Sequence, residues 1–260
     1  MTIERDRIAA ELNIAASIQA GILPYLFKTF PHREEFDLYA SMYHSDEIGG
    51  NFYDAYLLDD HHLGFVIADV SGSGVSTSLF KVIVRALIKT QAYLCTSPAE
   101  VLTIVNQQLF ESNKVGLFAS AFLGVLDLLT GKLIYANAGH ILPLLCKRGK
   151  IYQSINSKPS FILAGMEGMQ YNDYMLQMEP GDRLFLFTVG LTEALNFSKI
   201  PYGDIRLTAT LNGHKTDSMN LADLNDYIMG DVKQYTQNEK LKDDIALLFV
   251  EFKEYMDQMS

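Results

Sequence analysis

The chain has 260 residues, 48% of them hydrophobic, with 15 Phe, 14 Tyr and two cysteines. That is enough apolar material for a core without staples, and Cys95 and Cys146 lie far apart and outside any metal-ligand spacing, so a reducing compartment fits and a disulfide framework does not. The net charge of −10 repels phosphate backbones and argues against nucleic acid as a partner.

Residues 3–23 read as a helix. Ile8, Leu12, Ala15, Ile18 and Ile22 recur at three- and four-residue steps, and Pro24 ends the run. The steps are also heptad-like, so the stripe suits a helix lying on the core, one docking a partner, or one pairing with its twin in a homodimer. Met1 to Arg7 lacks an apolar core after its basic residues, and no apolar run reaches about 18 residues. Neither a signal peptide nor a membrane span is expected, and the expected location is the cytoplasm.

Strands are expected at 36–44, 51–58 and 63–70, with Asp59-Asp60-His61-His62 as a polar hairpin turn. Ser71-Gly72-Ser73-Gly74 leads into a helix through about residue 94. Val75, Leu79, Val82, Ile83, Leu87 and Tyr93 mark its expected buried face. Ser97, Pro98 and Glu100 open the next helix, as cap, first-turn proline and capping-box acid, and it runs to about Glu111. A meander follows, with strands at Ala119–Leu126, Leu133–Ala138 and Leu142–Cys146 and turns at Thr130-Gly131 and Arg148-Gly149. Residues 155–169 read as a loop. Strands near 171–178 and 183–188, a helix at 219–236 and a strand at 244–252 complete the chain. This order is no regular βαβ alternation and points to mainly antiparallel sheet covered by helices.

His44 and His140 lack partners at zinc-ligand spacing. No Gly-x-Ser-x-Gly elbow and no Gly-Lys-Ser/Thr phosphate loop occurs. What remains is acids beside glycines at strand ends: Asp46 to Asp54, Ala68 to Gly74, and Asp243 to Leu248. Oxygen-rich ends of this kind suit hard divalent cations, although Asp and Gly are equally at home in ordinary turns.

Taken together these segments resemble the phosphatases of the sporulation protein E and sigma-regulation type, a bacterial branch of the metal-dependent (PPM, PP2C-like) protein phosphatases. The likeness runs through Ile18-Gln19 and Leu23-Pro24, Gly49-Gly50-Asn51-Phe52-Tyr53-Asp54, Asp69-Val70-Ser71-Gly72, Tyr135-Ala136-Asn137-Ala138-Gly139-His140, Thr188-Val189-Gly190-Leu191-Thr192-Glu193-Ala194 and Asp243-Asp244-Ile245-Ala246. It implies an αββα sandwich of two mainly antiparallel sheets flanked by helices. It divides the chain into an N-terminal linker helix, 1–28, and a phosphatase domain, 29–255. It also implies two Mn²⁺ or Mg²⁺ ions that activate a water against phosphoserine or phosphothreonine, on a regulatory protein of the anti-anti-sigma type.

By the same resemblance Asp69 bridges the two metals, the Val70 carbonyl adds a ligand, and Asp243 serves the first metal. Asn51 stands where the family has an aspartate for the second metal, and Val189 where it has one for the first. Affinity at such sites follows ligand charge, so each loss weakens binding. Asp46, Glu47, Asp54, Glu193 and Asp244 are the acids near enough in sequence to substitute. Ser73, Ser76 and Ala246 also depart from the family pattern, but at positions that supply no ligand. The resemblance therefore implies a metal-dependent serine/threonine phosphatase impaired at Asn51 and Val189. The alternative is an inactive pseudophosphatase that binds a partner.

Overall fold

The computed structural model describes residues 30–253 apart from 31, 46–48, 159, 214 and 215. The helix expected at 3–23 and the unit expected at 1–28 lie outside these residues, as do Asp46 and Glu47. The described residues form ten strands and four α-helices.

Side-chain alternation assigns the faces. In β1 (Phe36–Tyr43) the residues Phe36, Leu38 and Ala40 are buried and their neighbours are not, the period-two pattern of a strand with one covered face. In β2 (Phe52–Leu57), β3 (His62–Val70), β4 (Ala119–Asp127) and β10 (Ile245–Phe252) most residues are buried and none is exposed. Such strands need cover on both faces, one from a sheet and one from helices.

Two antiparallel five-stranded sheets supply that cover. The first has the order β1-β10-β9-β6-β7, with β9 at Arg183–Phe187, β6 at Leu144–Cys146 and β7 at Tyr152–Ser154. The second runs β2-β3-β4-β5-β8, with β5 at Lys132–Ala138 and β8 at Tyr174–Gln177. Leu38, Phe65, Phe122, Leu186 and Leu248 belong to the core between the sheets. Helices α1 (Val75–Ala92) and α2 (Pro98–Ser112) cover the second sheet through Val84, Ile88, Leu102 and Val105. Helices α3 (Gly203–Leu211) and α4 (Leu221–Thr236) cover the first through Leu207, Leu224 and Ile228. This is the expected αββα sandwich. No helix among the described residues is long and apolar enough to cross a membrane.

Helix α1 corrects one expectation. Its buried residues are Thr77, Ser78, Phe80, Lys81, Val84, Ile88 and Ala92. Val75, Leu79 and Ile83, expected inside, are exposed, as is Tyr93 just beyond the helix. The helix carries apolar side chains on two faces, so periodicity alone does not choose between them. Two polar anchors do. Lys81 Nζ donates to the Gly49 carbonyl at 2.9 Å, and Arg85 Nε donates to Asp54 at 2.8 Å. Leaving either buried partner unmade would cost more than exposing a valine or leucine edge.

Helix α2 starts as read. Ser97 Oγ accepts from the Glu100 N–H at 3.1 Å and donates to Asp173 at 2.6 Å, with Pro98 in the first turn. Ser97→Ala is expected to lower stability by about 1 kcal/mol, read as a shift in the urea midpoint. No shift would mean the cap contributes nothing.

Candidate functional site

The sheets meet at one end of the sandwich. The start of β2, the end of β3, the end of β9 and the start of β10 converge there, which brings Asn51, Asp69, Val189 and Asp243 into one region from four separate segments. The acids sense one another. Burial pushes the Asp69 carboxyl up to about 7, and the charges of Asp243, Asp244 and Glu193 add to the rise. Asp243 is also raised, first by burial and then by Asp244 and Glu193, although its carboxylate accepts the Asp244 N–H at 2.7 Å.

Asp244 behaves differently. It is 1% exposed, and burial alone would raise its pKa. Hydrogen bonds outweigh burial and hold it below its usual range. The Ser45 N–H donates to it at 2.8 Å, the Ser45 hydroxyl at 3.1 Å, and His44 Nδ1 lies 3.3 Å away. The carboxylate rests directly on Gly49, where any Cβ would overlap it. Its backbone carbonyl lies close to Gly190, and a Cβ there would also overlap that oxygen. Only glycine permits both approaches.

Asn51 is 1% exposed and ties the two sheets together. Its Nδ2 donates to the Asp244 carbonyl at 2.8 Å and to Thr188 Oγ1 at 2.9 Å. The Asp244 carbonyl can only accept, so the amide nitrogen must face it. An aspartate at this position would set an anionic oxygen against that carbonyl. The Asn51 Oδ1 is buried with no partner among the described residues.

The remaining candidates differ in what they face. Val189 forms a tight turn, its carbonyl accepting from Glu193 N at 2.9 Å and Thr192 Oγ1 at 3.2 Å, and its side chain offers no oxygen. Glu193 is exposed and pairs with Lys242 at 3.4 Å. Asp54, in β2, is buried against α1, committed to Arg85 at 2.8 Å with Lys89 at 4.0 Å. The Val70 carbonyl lies against Gly50. His140, in its turn, is buried, with Nδ1 2.9 Å from Ser120 Oγ, and burial lowers its pKa to about 4.

One residue of this region does not figure in the motifs. Lys81 is 2% exposed, and its ammonium sits on the Gly49 carbonyl. Burial lowers its pKa to about 8, against the opposing pull of Asp244. Its sequence signal is the basic stripe Lys81, Arg85, Lys89 at four-residue steps, facing β2.

These residues do not fit a pair of divalent cations. Asn51 spends its amide nitrogen on two protein acceptors and keeps only a neutral oxygen, Val189 lacks a side-chain oxygen, and a buried ammonium already serves the loop. Among the described residues no three His, Cys, Asp or Glu side chains stand close enough to hold a metal ion. Asp69, Asp243 and the Val70 carbonyl remain from the expected ligand set.

The comparisons with known proteins agree with the architecture. The model of the stage II sporulation protein E (SpoIIE) family matches residues 59–253. Protein IcfG of Synechocystis sp. is 25% identical over 241 residues, covering 82% of this chain and 37% of that protein. The phosphoserine phosphatases RsbP and RsbU of Bacillus subtilis are 25% and 23% identical, covering 80% and 73% of this chain and 50% and 55% of theirs. The chain thus spans about a third to a half of these relatives. The SiaA-PP2C domain of Pseudomonas aeruginosa shares 22% identity with a TM-score of 0.80, covering 98% of this chain and 99% of that one. The SpoIIE phosphatase domain with a regulatory fragment, from Bacillus subtilis, gives 18% and 0.70 over 84% and 63%. At these identities the solved structures speak for the fold alone. With three quarters of its length matched by one family model and the sandwich in place, the chain belongs to the stage II sporulation protein E family and has its PP2C-type phosphatase fold.

Proposed function

We propose that this domain is a cytoplasmic regulatory module on a phosphatase scaffold, binding a phosphorylated regulatory protein while hydrolysing it poorly or not at all. The observation that carries this reading is Asn51. Its amide closes the joint between the sheets by hydrogen bonds that need no cation, where a carboxylate would repel the Asp244 carbonyl. With Val189 as the second gap, Mn²⁺ or Mg²⁺ would be held weakly by Asp69, Asp243 and the Val70 carbonyl. The partner class follows from the family: a phosphoserine or phosphothreonine protein of the anti-anti-sigma type, in keeping with the two phosphoserine phosphatases among the relatives.

A second reading, residual metal-dependent serine/threonine phosphatase activity, is favoured by the retained Asp69 and Asp243, whose charges act on one another. One assay separates the two. Phosphate release from a phosphoserine protein is measured as Mn²⁺ rises to millimolar levels, for the parent and for Asp69→Ala. The regulatory reading expects rates within about twofold of each other. A parent rate about a hundredfold above the variant would establish the enzyme instead.

A further inference from the structure

We infer that Lys81 is a built-in cation of this site, whose ammonium fastens the Gly49–Asn51 loop to helix α1 and opposes entry of a divalent ion there. The inference rests on the functional reading above and names the group that makes the site self-sufficient.

One contact of Lys81 and three of the loop it holds carry this role. Its Nζ donates to the Gly49 carbonyl at 2.9 Å, from a side chain only 2% exposed. Gly49 is also the residue on which the Asp244 carboxylate lies, so the ammonium and the acid grip the same residue. Two residues on, Asn51 bonds to the Asp244 carbonyl, and Gly50 packs on the carbonyl of Val70. The loop that would have to present oxygens to a second metal is therefore held on one side by a positive charge and on the other by neutral amide bonds.

Electrostatics gives the arrangement its consequence. A divalent ion and an ammonium at one buried loop repel strongly, because low polarisability screens them little. The neutral amide at 51 and the ammonium at 81 act in the same direction, both making the loop less negative. Restoring the acids alone is then insufficient, since the cation they should attract still faces Lys81.

The test compares Mn²⁺ binding, followed by the electron paramagnetic resonance signal of free Mn²⁺, in four full-length proteins. They are the parent, Asn51→Asp with Val189→Asp, and that double variant combined with either Lys81→Met or Lys81→Gln. The glutamine keeps a donor for the Gly49 carbonyl, so a folding failure of the methionine variant leaves the comparison intact. Removal of Lys81 is expected to tighten Mn²⁺ binding by the restored site at least about tenfold. Equal affinity with and without Lys81, or no binding by any restored protein, overturns the inference and leaves the functional reading standing. Micromolar Mn²⁺ binding by the parent would instead overturn the functional reading and, with it, this inference.

Discussion

Replacing Asp54 with alanine is expected to lower the unfolding free energy by about 3 kcal/mol, among the largest losses available to a single side chain in this domain. Asp54 is 1% exposed and faces an Arg85 side chain that is itself only 15% exposed, with Nε at 2.8 Å. Its other oxygen accepts the Ala55 N–H at 2.9 Å. Deleting the carboxylate removes the buried anion to which Arg85 Nε donates between β2 and α1. Lys89, 4.0 Å away and 5.3 Å over the Tyr56 ring, loses the same partner. The chain has no tryptophan, so urea unfolding is best followed by far-UV circular dichroism. Asp54→Leu combined with Arg85→Met should recover most of the loss, because an apolar pair of similar volume needs no desolvation. A loss below about 1 kcal/mol would mean that Arg85 escapes to water and the pair is a surface interaction.

Gly190→Ala is the second large effect, also about 3 kcal/mol. The added methyl would overlap the Asp244 carbonyl oxygen. That oxygen cannot move freely. It accepts from Asn51 Nδ2 at 2.8 Å and from Thr188 Oγ1 at 3.3 Å, while Thr188 Oγ1 also accepts from Ala246 N at 3.0 Å. Relief therefore requires parting the end of β9 from the start of β10, which carries Asp243 and Asp244 with it. Hydrogen exchange at the Ala246 amide should rise in step with the loss of stability. A variant that melts like the parent, with that amide still protected, would show that the joint yields at little cost.

Both predictions concern residues whose importance was only partly visible in the chain. Asp54 appears as one of several acids near the candidate centre. The structure directs it away, onto Arg85, because its place in β2 faces the helix layer. Glu193 and Asp244 remain near Asp69 by charge, yet Glu193 is exposed beside Lys242, and the Asp244 carboxylate is occupied by His44 and Ser45. Sequence distance could not foresee these commitments, since each is made with a residue from another segment.

The boundaries of the long elements were legible because alternation and capping are local. Strands β1 to β5, β9 and β10, the Ser97 cap and the hairpin at Asp59 fall where the pattern put them. The three-residue β7 was too short to show a period, and α3 has Ile205 on its exposed side, which blurs its stripe. The departures at Asn51 and Val189 from the pattern that the resemblance implies were also plain in the sequence, because a motif names the residue type expected at each place. What only the tertiary structure decided is what surrounds those two positions. The amide of Asn51 bridges to Thr188 and Asp244, 137 and 193 residues away, and Lys81 turns inward to meet Gly49. The physical reason is that a hydrogen bond or a buried charge depends on which groups face it. For this site those groups come from strand ends that meet only when the two sheets pack.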